Sequence, residues 1–376
     1  MKVYVVHHFF AHYRGAVLRE LGHQLAGQGE LVLLEGGGGG AQKGIPKISE
    51  KSSKFKPYSK FFLRNKWFGS VLWQSGLVRQ VLNASREDVW IFLGDAHYLS
   101  TWIASILARA RGMRVLFWTH GTRHEIKGIK RLALKAFYAI PDELLLYGVR
   151  GKELLRHAGI RRYARVIYNS VDYCEQMNQK DNWNVVRRDG NKILFCARLE
   201  LRKRADLLIR ACAIMMSQNL RFKLVIIGDG QQKSFLQDLV KELGLTECVD
   251  FVGPLYEESQ LAPYFLSASV FVIPETAGLS VMHAMGYGVP VITVSDPDHQ
   301  MPETEAIIDG KTGAFFSRDD ANSLARTIIT WLQDSDAEAA SRACIEMIET
   351  RYAPGVHARR IRSAIFNETD RELTSL

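Results

Sequence analysis

The 376-residue chain has only five cysteines, Cys174, Cys196, Cys212, Cys248 and Cys344, and no two of them are close in sequence. That spacing argues against a disulfide framework and against a zinc site, leaving buried free thiols as the expected state. A long apolar run is missing at the start, where MKVYVVHHFF carries one Lys and a four-residue apolar stretch before two histidines. Neither a signal peptide nor a spanning helix is expected there, and the protein is expected in the cytoplasm, with at most a peripheral hold on the inner face of the membrane. Acidic residues are the minority charge, 40 Asp and Glu against 49 Lys and Arg, for a formal net charge of +9. The excess suits phosphorylated substrates, anionic lipid or nucleic acid, but no motif for reading bases is visible and no nucleic-acid partner is expected.

What is present is an alternation. Apolar runs at Val3 to Val6, Leu31 to Leu34, Val89 to Leu93, Val115 to Trp118 and Leu144 to Tyr147 are separated by helical patterns. Such spacing predicts a parallel sheet covered on both faces. A polar stretch, CEQMNQKDNWNVVRRDGNK, then precedes a second alternation from Ile193 to Phe316. The expected organisation is α/β: a first Rossmann-like domain over residues 1–170, a linker over 171–190, a second doubly wound domain over 191–350, and a terminal helix over 351–376 after a Pro-Gly break.

Within the second half, VFVIPETAGLSVMHAMGYGVP runs from a buried strand through a small-residue turn into an apolar helix, with Glu275 at the junction. Free amides of Gly278, Leu279 and Ser280 at a helix start favour phosphate, while a carboxylate better accepts hydrogen bonds from neutral hydroxyls. A sugar joined to a phosphate would use both. Upstream, ILFCARLELRKRADLLIRA places Arg198 and Lys203 in a basic loop between a strand and an amphipathic helix with Ala205, Leu208, Ile209 and Cys212 on its apolar face. Between these two segments, FKLVIIGDGQQKSFLQDLVKELGL sets Gly228, Asp229 and Gly230 at another strand-to-helix turn. The run Gly36 to Gly40, followed by Ala41, is not read as a dinucleotide fingerprint, because no acid follows about twenty residues on and it trails the second strand. A flexible loop is expected there.

These three motifs, in this order, resemble the retaining glycosyltransferases of family 4, with the GT-B arrangement of two facing Rossmann-like domains and a cleft between them. The family signature has a Glu, a Gly-Leu three and four residues on, and a second Glu eight residues on; Glu275, Gly278 and Leu279 match, whereas position 283 is His283. The resemblance implies that Arg198 and Lys203 hold the diphosphate of a nucleotide-sugar, that Glu275 positions the sugar, and that Gly15, Gly228, Ser280 and His283 border the donor. It assigns the missing acid to the donor ribose. It also implies no cofactor and no metal, since protein cations meet the leaving diphosphate.

In the first half, VVHHFFAHYRG puts His7, His8, His12, Tyr13 and Arg14 after the first strand, VLFWTHGTRHE ends a strand at His120, and FLGDAHYLS ends one at Asp95 and His97. The resemblance makes His120 the histidine that contacts the transferred sugar; the alternative is a strand-end histidine satisfied by backbone carbonyls. Tyr13, Arg14, Asp95 and His97 are expected to face the acceptor. Two basic stretches lie here: Lys51 to Phe68, interleaved with aromatics and free of acids, and Arg123 to Tyr138, read as a helix with Ile126, Ile129, Ala133 and Phe137 on its apolar edge. They fit an anionic membrane surface and a lipid-linked acceptor, or equally a solvated face with its aromatics turned inward. The implied activity is sugar transfer to a glycolipid or polysaccharide of the cell surface. A catalytically inactive binding relative and a nucleotide-sugar epimerase on the same fold are the competing readings.

Overall fold

The computed structural model describes residues 1–37, 47–48, 57–182 and 190–368. The chain forms two compact units, one of Met1–Asp172 with the segment from Pro354 onward, the other of Tyr173–Ala353. The first is built on eight strands, β1 (Lys2–His7), β2 (Glu30–Gly37), β3 (Ser59–Phe68), β4 (Val71–Ser75), β5 (Val89–Leu93), β6 (Arg114–Thr119), β7 (Glu143–Leu146) and β8 (Ala164–Val166). Their order is β4-β3-β2-β1-β5-β6-β7-β8, parallel except for the β3–β4 hairpin. Central strands are buried along nearly their whole length, as β7 is throughout, which is why they read as unbroken apolar runs.

One face of this sheet packs helices Leu77–Asn83, Leu99–Ala110, Gly128–Tyr138 and Val149–His157 through Val81, Ala104, Phe137 and Leu155. The other face packs Gly15–Leu25 and the terminal helix Pro354–Ile365 through Leu18, Leu21, Ile361 and Ala364. The terminal helix is also tied by Ser170 Oγ to His357 Nδ1 at 3.0 Å and by Gln24 Nε2 donating to Gly355 O at 3.1 Å. The second unit has a six-stranded parallel sheet, β9 (Lys192–Cys196), β10 (Lys223–Ile227), β11 (Val249–Gly253), β12 (Val270–Val272), β13 (Val291–Val294) and β14 (Gly313–Phe316), in the order β11-β10-β9-β12-β13-β14. The order reverses between β9 and β12, and in the first unit between β1 and β5. Loops leaving the two strands at such a reversal diverge to opposite sides and open a crevice at their carboxyl ends.

Several expectations are corrected. The stretch 171–190, expected as a linker, contains helix Tyr173–Asn182, which buries Tyr173 and Gln176; Gln176 Nε2 donates to His283 O at 3.0 Å. Its buried groups are polar, so periodicity of apolar residues could not reveal it. From Ser59 the basic stretch ending at Phe68 is strand: β3 lies next to the edge strand β4, with Phe61, Phe62 and Phe68 54%, 63% and 67% exposed. Lys60 is not a free surface cation, since its Nζ lies 2.5 Å from the buried carboxylate of Glu35 on β2. The second basic stretch becomes helical only at Gly128, and Ile129, expected on its apolar edge, is 83% exposed. Cys174 is exposed, whereas Cys212 and Cys344 are buried. Lys51, Lys54, Phe55 and Lys56, with Gly38 to Ala41, lie outside the described residues.

The first two glycines of the expected loop end strand β2, where Gly36 and Gly37 pair with Leu63 and Arg64. Gly36 is needed because the Asn65 side chain crosses it: a Cβ would stand 2.0 Å from Asn65 Oδ1. Asn65 in turn donates from Nδ2 to His8 O at 2.9 Å and accepts at Oδ1 from Gln74 Nε2 at 3.2 Å, so the small residue supports the loop after β1. We expect Gly36→Ala to destabilise the protein by about 1–3 kcal/mol through overpacking, seen as a fall of several degrees in Tm. Gly37→Ala, whose Cβ would meet only Leu63 O at 3.5 Å, is the control; equal melting of the two variants would contradict the account.

Candidate active site

In the second unit the site grows from the reversal between β9 and β12. The loop after β9 carries Arg198 and, in a short 3-10 turn over Leu201–Lys203, Lys203. The loop after β12 carries Glu275 and enters helix Leu279–Gly286 at Gly278. Two hydrogen bonds clasp these loops: Lys203 Nζ donates to Thr276 O at 2.6 Å, and Thr276 Oγ1 donates to Arg202 O at 3.3 Å. Thr276 has φ of 55°, a left-handed conformation that a β-branched residue adopts only under strain, and the clasp holds it there.

The GDG turn has a role that its sequence did not reveal. A Cβ on Gly228 would lie 2.0 Å from Ala197 O, and one on Gly230 would lie 2.4 Å from Leu199 O. Leu199 N donates to Asp229 O at 2.9 Å and Gln232 N to Leu199 O at 3.0 Å, so the glycines let the β10 turn press its backbone onto the loop bearing Arg198. A cavity of about 420 Å3 adjoins them, lined by Arg198, Gly228, Asp229, Leu255 and Tyr256 among others.

Glu275 is buried, and its Oε1 accepts from Arg318 Nη2 at 2.9 Å and lies 3.0 Å from His299 Nδ1. Arg318 follows β14 and His299 follows β13, so three loops of the sheet, after β12, β13 and β14, meet at this carboxylate. Among the described residues these partners all engage Oε1 rather than Oε2. Arg318 and His299 were missed by sequence reasoning because nothing in the chain marks two polar residues on distant loops as partners of Glu275. Arg318 also sets a positive charge against the buried Glu275 carboxylate. On the other side, Glu200 bridges Arg198 and Arg202, at 2.9 and 2.7 Å.

Position 283 does not leave the site without an acid. His283 Nε2 lies 2.8 Å from Glu258 Oε1, and Tyr287 Oη donates to the same oxygen at 2.5 Å. Burial opposes ionisation of Glu258, but the bonds from His283 and Tyr287 outweigh it and hold its pKa below the usual carboxylate value. Glu258 also raises the pKa of Cys196, after burial, which pushes that thiol up to about 12. Cys196 lines the 420 Å3 cavity, so a carboxylate stands near the place where the second Glu was sought.

In the first unit a cavity of about 430 Å3 opens at the carboxyl ends of β1, β5 and β6 and brings together Tyr13, Arg14, Asp95, His97 and His120. Gly15 is not in its lining; it begins helix Gly15–Leu25 with φ of −57°, which any residue adopts. Burial, with Arg123 and Arg14 nearby, lowers the pKa of His120 to about 3, so its imidazole is neutral. The ring packs on Tyr147 at 4.4 Å and its buried Nδ1 has no hydrogen-bond partner, so the backbone-satisfied alternative does not hold for that atom. Asp95 Oδ1 accepts from His97 N at 3.0 Å and sits 2.9 Å from His97 Nδ1. The three histidines after β1 diverge: His7 is buried against Phe10 and Trp118, His8 Nδ1 meets Tyr98 Oη at 3.0 Å, and His12 is exposed. Among the described residues no group of three or more His, Cys, Asp or Glu is placed to hold a metal ion.

A two-sheet Rossmann-like architecture with cations and a carboxylate at the second reversal defines a class, and comparison with known proteins agrees. Residues 177–348, nearly all of the second unit, match the family described as Glycosyl transferases group 1. It is 29% identical over 218 residues to the N-acetylgalactosamine-N,N'-diacetylbacillosaminyl-diphospho-undecaprenol 4-alpha-N-acetylgalactosaminyltransferase of Campylobacter jejuni, covering 56% of each chain. It is 33% identical over 153 residues to the D-inositol 3-phosphate glycosyltransferase of Streptomyces avermitilis, covering 38% of this chain and 32% of that one. The chain matches 32 to 62% of the length of such curated relatives. In fold it is similar to Anabaena Alr3699/HepE, solved in complex with UDP, with a TM-score of 0.70 at 15% identity over 98% of this chain and 100% of the other. The architecture is thus the GT-B glycosyltransferase fold.

Burial, followed by the charges of Arg202 and Arg198, lowers the Lys203 pKa to about 8. An anion beside the ammonium favours the charged form, so the bound site keeps a proton that the free site sheds as pH rises through about 8. Binding of inorganic pyrophosphate should therefore take up protons above pH 8 and weaken as pH rises, with both effects absent in Lys203→Gln. Calorimetry in buffers of different ionisation enthalpy measures the uptake; none at pH 8.5 in the wild type would remove Lys203 from the anion site.

Proposed function

We propose that the protein is a retaining, metal-independent glycosyltransferase, moving a sugar from a nucleotide-sugar bound by the second unit to a glycolipid or polysaccharide acceptor met by the first, in cell-surface glycan synthesis. The observation that carries this reading is the clasp at Thr276, which holds the cationic loop of Arg198 and Lys203 against the junction bearing Glu275. A departing diphosphate needs preorganised positive charge, which Arg198, Lys203 and the first-turn amides of residues 278–280 supply. Glu275, fixed by Arg318 and His299, offers Oε2 to a sugar hydroxyl. Glu258, oriented by His283 and Tyr287, takes the ribose in place of the acid missing at 283. Tyr256, 83% exposed at the cavity edge, presents a ring on which a base can stack.

Retention calls for no enzymic nucleophile in this reading. Glu275 orients the donor, and the leaving phosphate takes the acceptor proton as the new bond forms on the same face. His120, neutral and with Nδ1 unpaired, is suited to a hydroxyl of the transferred sugar rather than to a phosphate.

The purified chain should release nucleotide from one member of a panel of UDP-, GDP- and ADP-sugars, in EDTA, faster with membrane lipid extract. Lys203→Ala and Glu275→Ala should each abolish release while melting as the wild type does. Glu258→Gln should raise the donor KM about tenfold with kcat little changed, the signature of lost ground-state binding. No release and no nucleotide binding across the panel would sink the enzymic reading in favour of an inactive relative, and dependence on added metal would remove its metal-independent part.

Attachment to anionic membrane is the second part of the reading. Helix Gly128–Tyr138 exposes Ile129 at 83% and Leu132 at 67%, one turn apart, with exposed Lys130 and Lys135 on the same helix. Helix Leu99–Ala110, on the same face of the sheet, exposes Ile103 and Ile106. Apolar side chains that face water beside ammonium groups match an anionic interface, each cation near the surface contributing about 1 kcal/mol. No helix among the described residues is long and apolar enough to cross a membrane. The protein should sediment with vesicles containing phosphatidylglycerol and much less with pure phosphatidylcholine. Ile129→Asp with Leu132→Asp should weaken that binding at least about tenfold without lowering Tm; undiminished sedimentation would move the attachment elsewhere.

A further inference from the structure

We propose that the cavity of the first unit recognises an anionic group of the acceptor, a phosphate or a carboxylate, through Arg14. The inference rests on the reading that this unit receives the acceptor, and it adds the chemistry of what is received.

Arg14 is only 8% exposed, yet none of the described carboxylates pairs with it. Its guanidinium lies 4.7 Å from the centre of the Trp118 ring and 5.7 Å from that of Tyr147, and Nη2 donates to Tyr147 Oη. The Tyr13 hydroxyl also hydrogen-bonds the guanidinium. Among the described residues Nη1 is buried with no hydrogen-bond partner, and the residue lines the cavity. Arg165, as deeply buried in the same unit, shows the ordinary solution: its Nε is 2.7 Å from Glu143 Oε1. A buried cation with no counter-charge is strongly unfavourable unless a ligand supplies one. Aromatic faces and hydroxyls hold the guanidinium in place without neutralising it, so its charge remains available to the cavity.

The rest of the lining agrees in sign. Arg123 is the other cation there, and Asp95 is the acid. Asp95 is half exposed at the rim, and its Oδ1 is already engaged by the backbone N–H and ring of His97. His7 is held neutral by burial and Arg14, and His120 by burial, Arg123 and Arg14, so they add donors and acceptors without competing charge. A planar fork with one unpaired N–H edge suits phosphate or carboxylate oxygens. A neutral sugar would leave the charge unmet.

The test is direct binding, so it does not depend on turnover. Calorimetric titrations at fixed ionic strength use inorganic phosphate, glucuronate and glucose, on full-length Lys203→Gln, which removes the competing anion site of the second unit. At least one anion should bind at a single site and glucose should not; the tighter of phosphate and glucuronate tells a phosphate-bearing acceptor from a uronic-acid glycan. Adding Arg14→Gln should weaken that anion at least about tenfold. In the single variant Arg14→Gln, affinity for whichever of UDP, GDP or ADP the wild type binds should stay within about twofold. Absence of anion binding, anion affinity unchanged by Arg14→Gln, or loss of nucleotide binding in that variant would each overturn the proposal. Should Arg14→Gln fail to melt cooperatively, Arg14→Lys is read instead, and anion affinity equal to wild type there would also overturn it. Failure of nucleotide binding by the wild type would instead count against the glycosyltransferase reading.

Discussion

The candidate donor site depends on one short contact, the Lys203 ammonium donating to the carbonyl of Thr276. Parallel strands whose order reverses send their loops apart, so whatever the loops after β9 and β12 carry would not act together unless something bridged them. The bridge is made by a group with a second task. The ammonium that closes the clasp is the one that would meet a diphosphate, and its lowered pKa reflects first its burial and then the charges of Arg202 and Arg198. Position and reactivity share one cause.

Backbone geometry serves the same end. Gly228 and Gly230 allow the turn after β10 to lie against the carbonyls of Ala197 and Leu199, and Thr276 is held in a left-handed conformation where its carbonyl faces Lys203. Removing side chains in one place and imposing strain in another fixes the Arg198 loop from both sides. Strain of this kind persists only where surrounding bonds over-determine it.

The two units use charge differently at their respective reversals. In the second, three of the cations near the junction are paired with acids: Arg198 and Arg202 share Glu200, and Arg318 holds Glu275, while Lys203 bonds the carbonyl of Thr276. A ligand there exchanges one partner for another. In the first, Arg14 is buried among Trp118, Tyr147 and Tyr13 and pairs with none of the described acids, an arrangement that leaves its charge for an arriving anion to neutralise.

The sequence by itself determined the sheet architecture, because parallel strands buried on both faces must be apolar throughout and helices between them must be amphipathic. It also singled out two loops where cations and a carboxylate stand, since Arg198, Lys203 and Glu275 lie where strands end and helices begin. The tertiary structure alone decided the partners: Arg318 and His299 for Glu275, Glu258 for His283, and none of the described acids for Arg14. It alone turned Phe61, Ile129 and Leu132 outward and made a helix of polar residues 173–182. The physical reason is range. Periodicity and turn chemistry are set by neighbours along the chain, whereas pairing of charges and exposure of one helix face are set by residues far apart in sequence that only the packed sheet brings within hydrogen-bond distance.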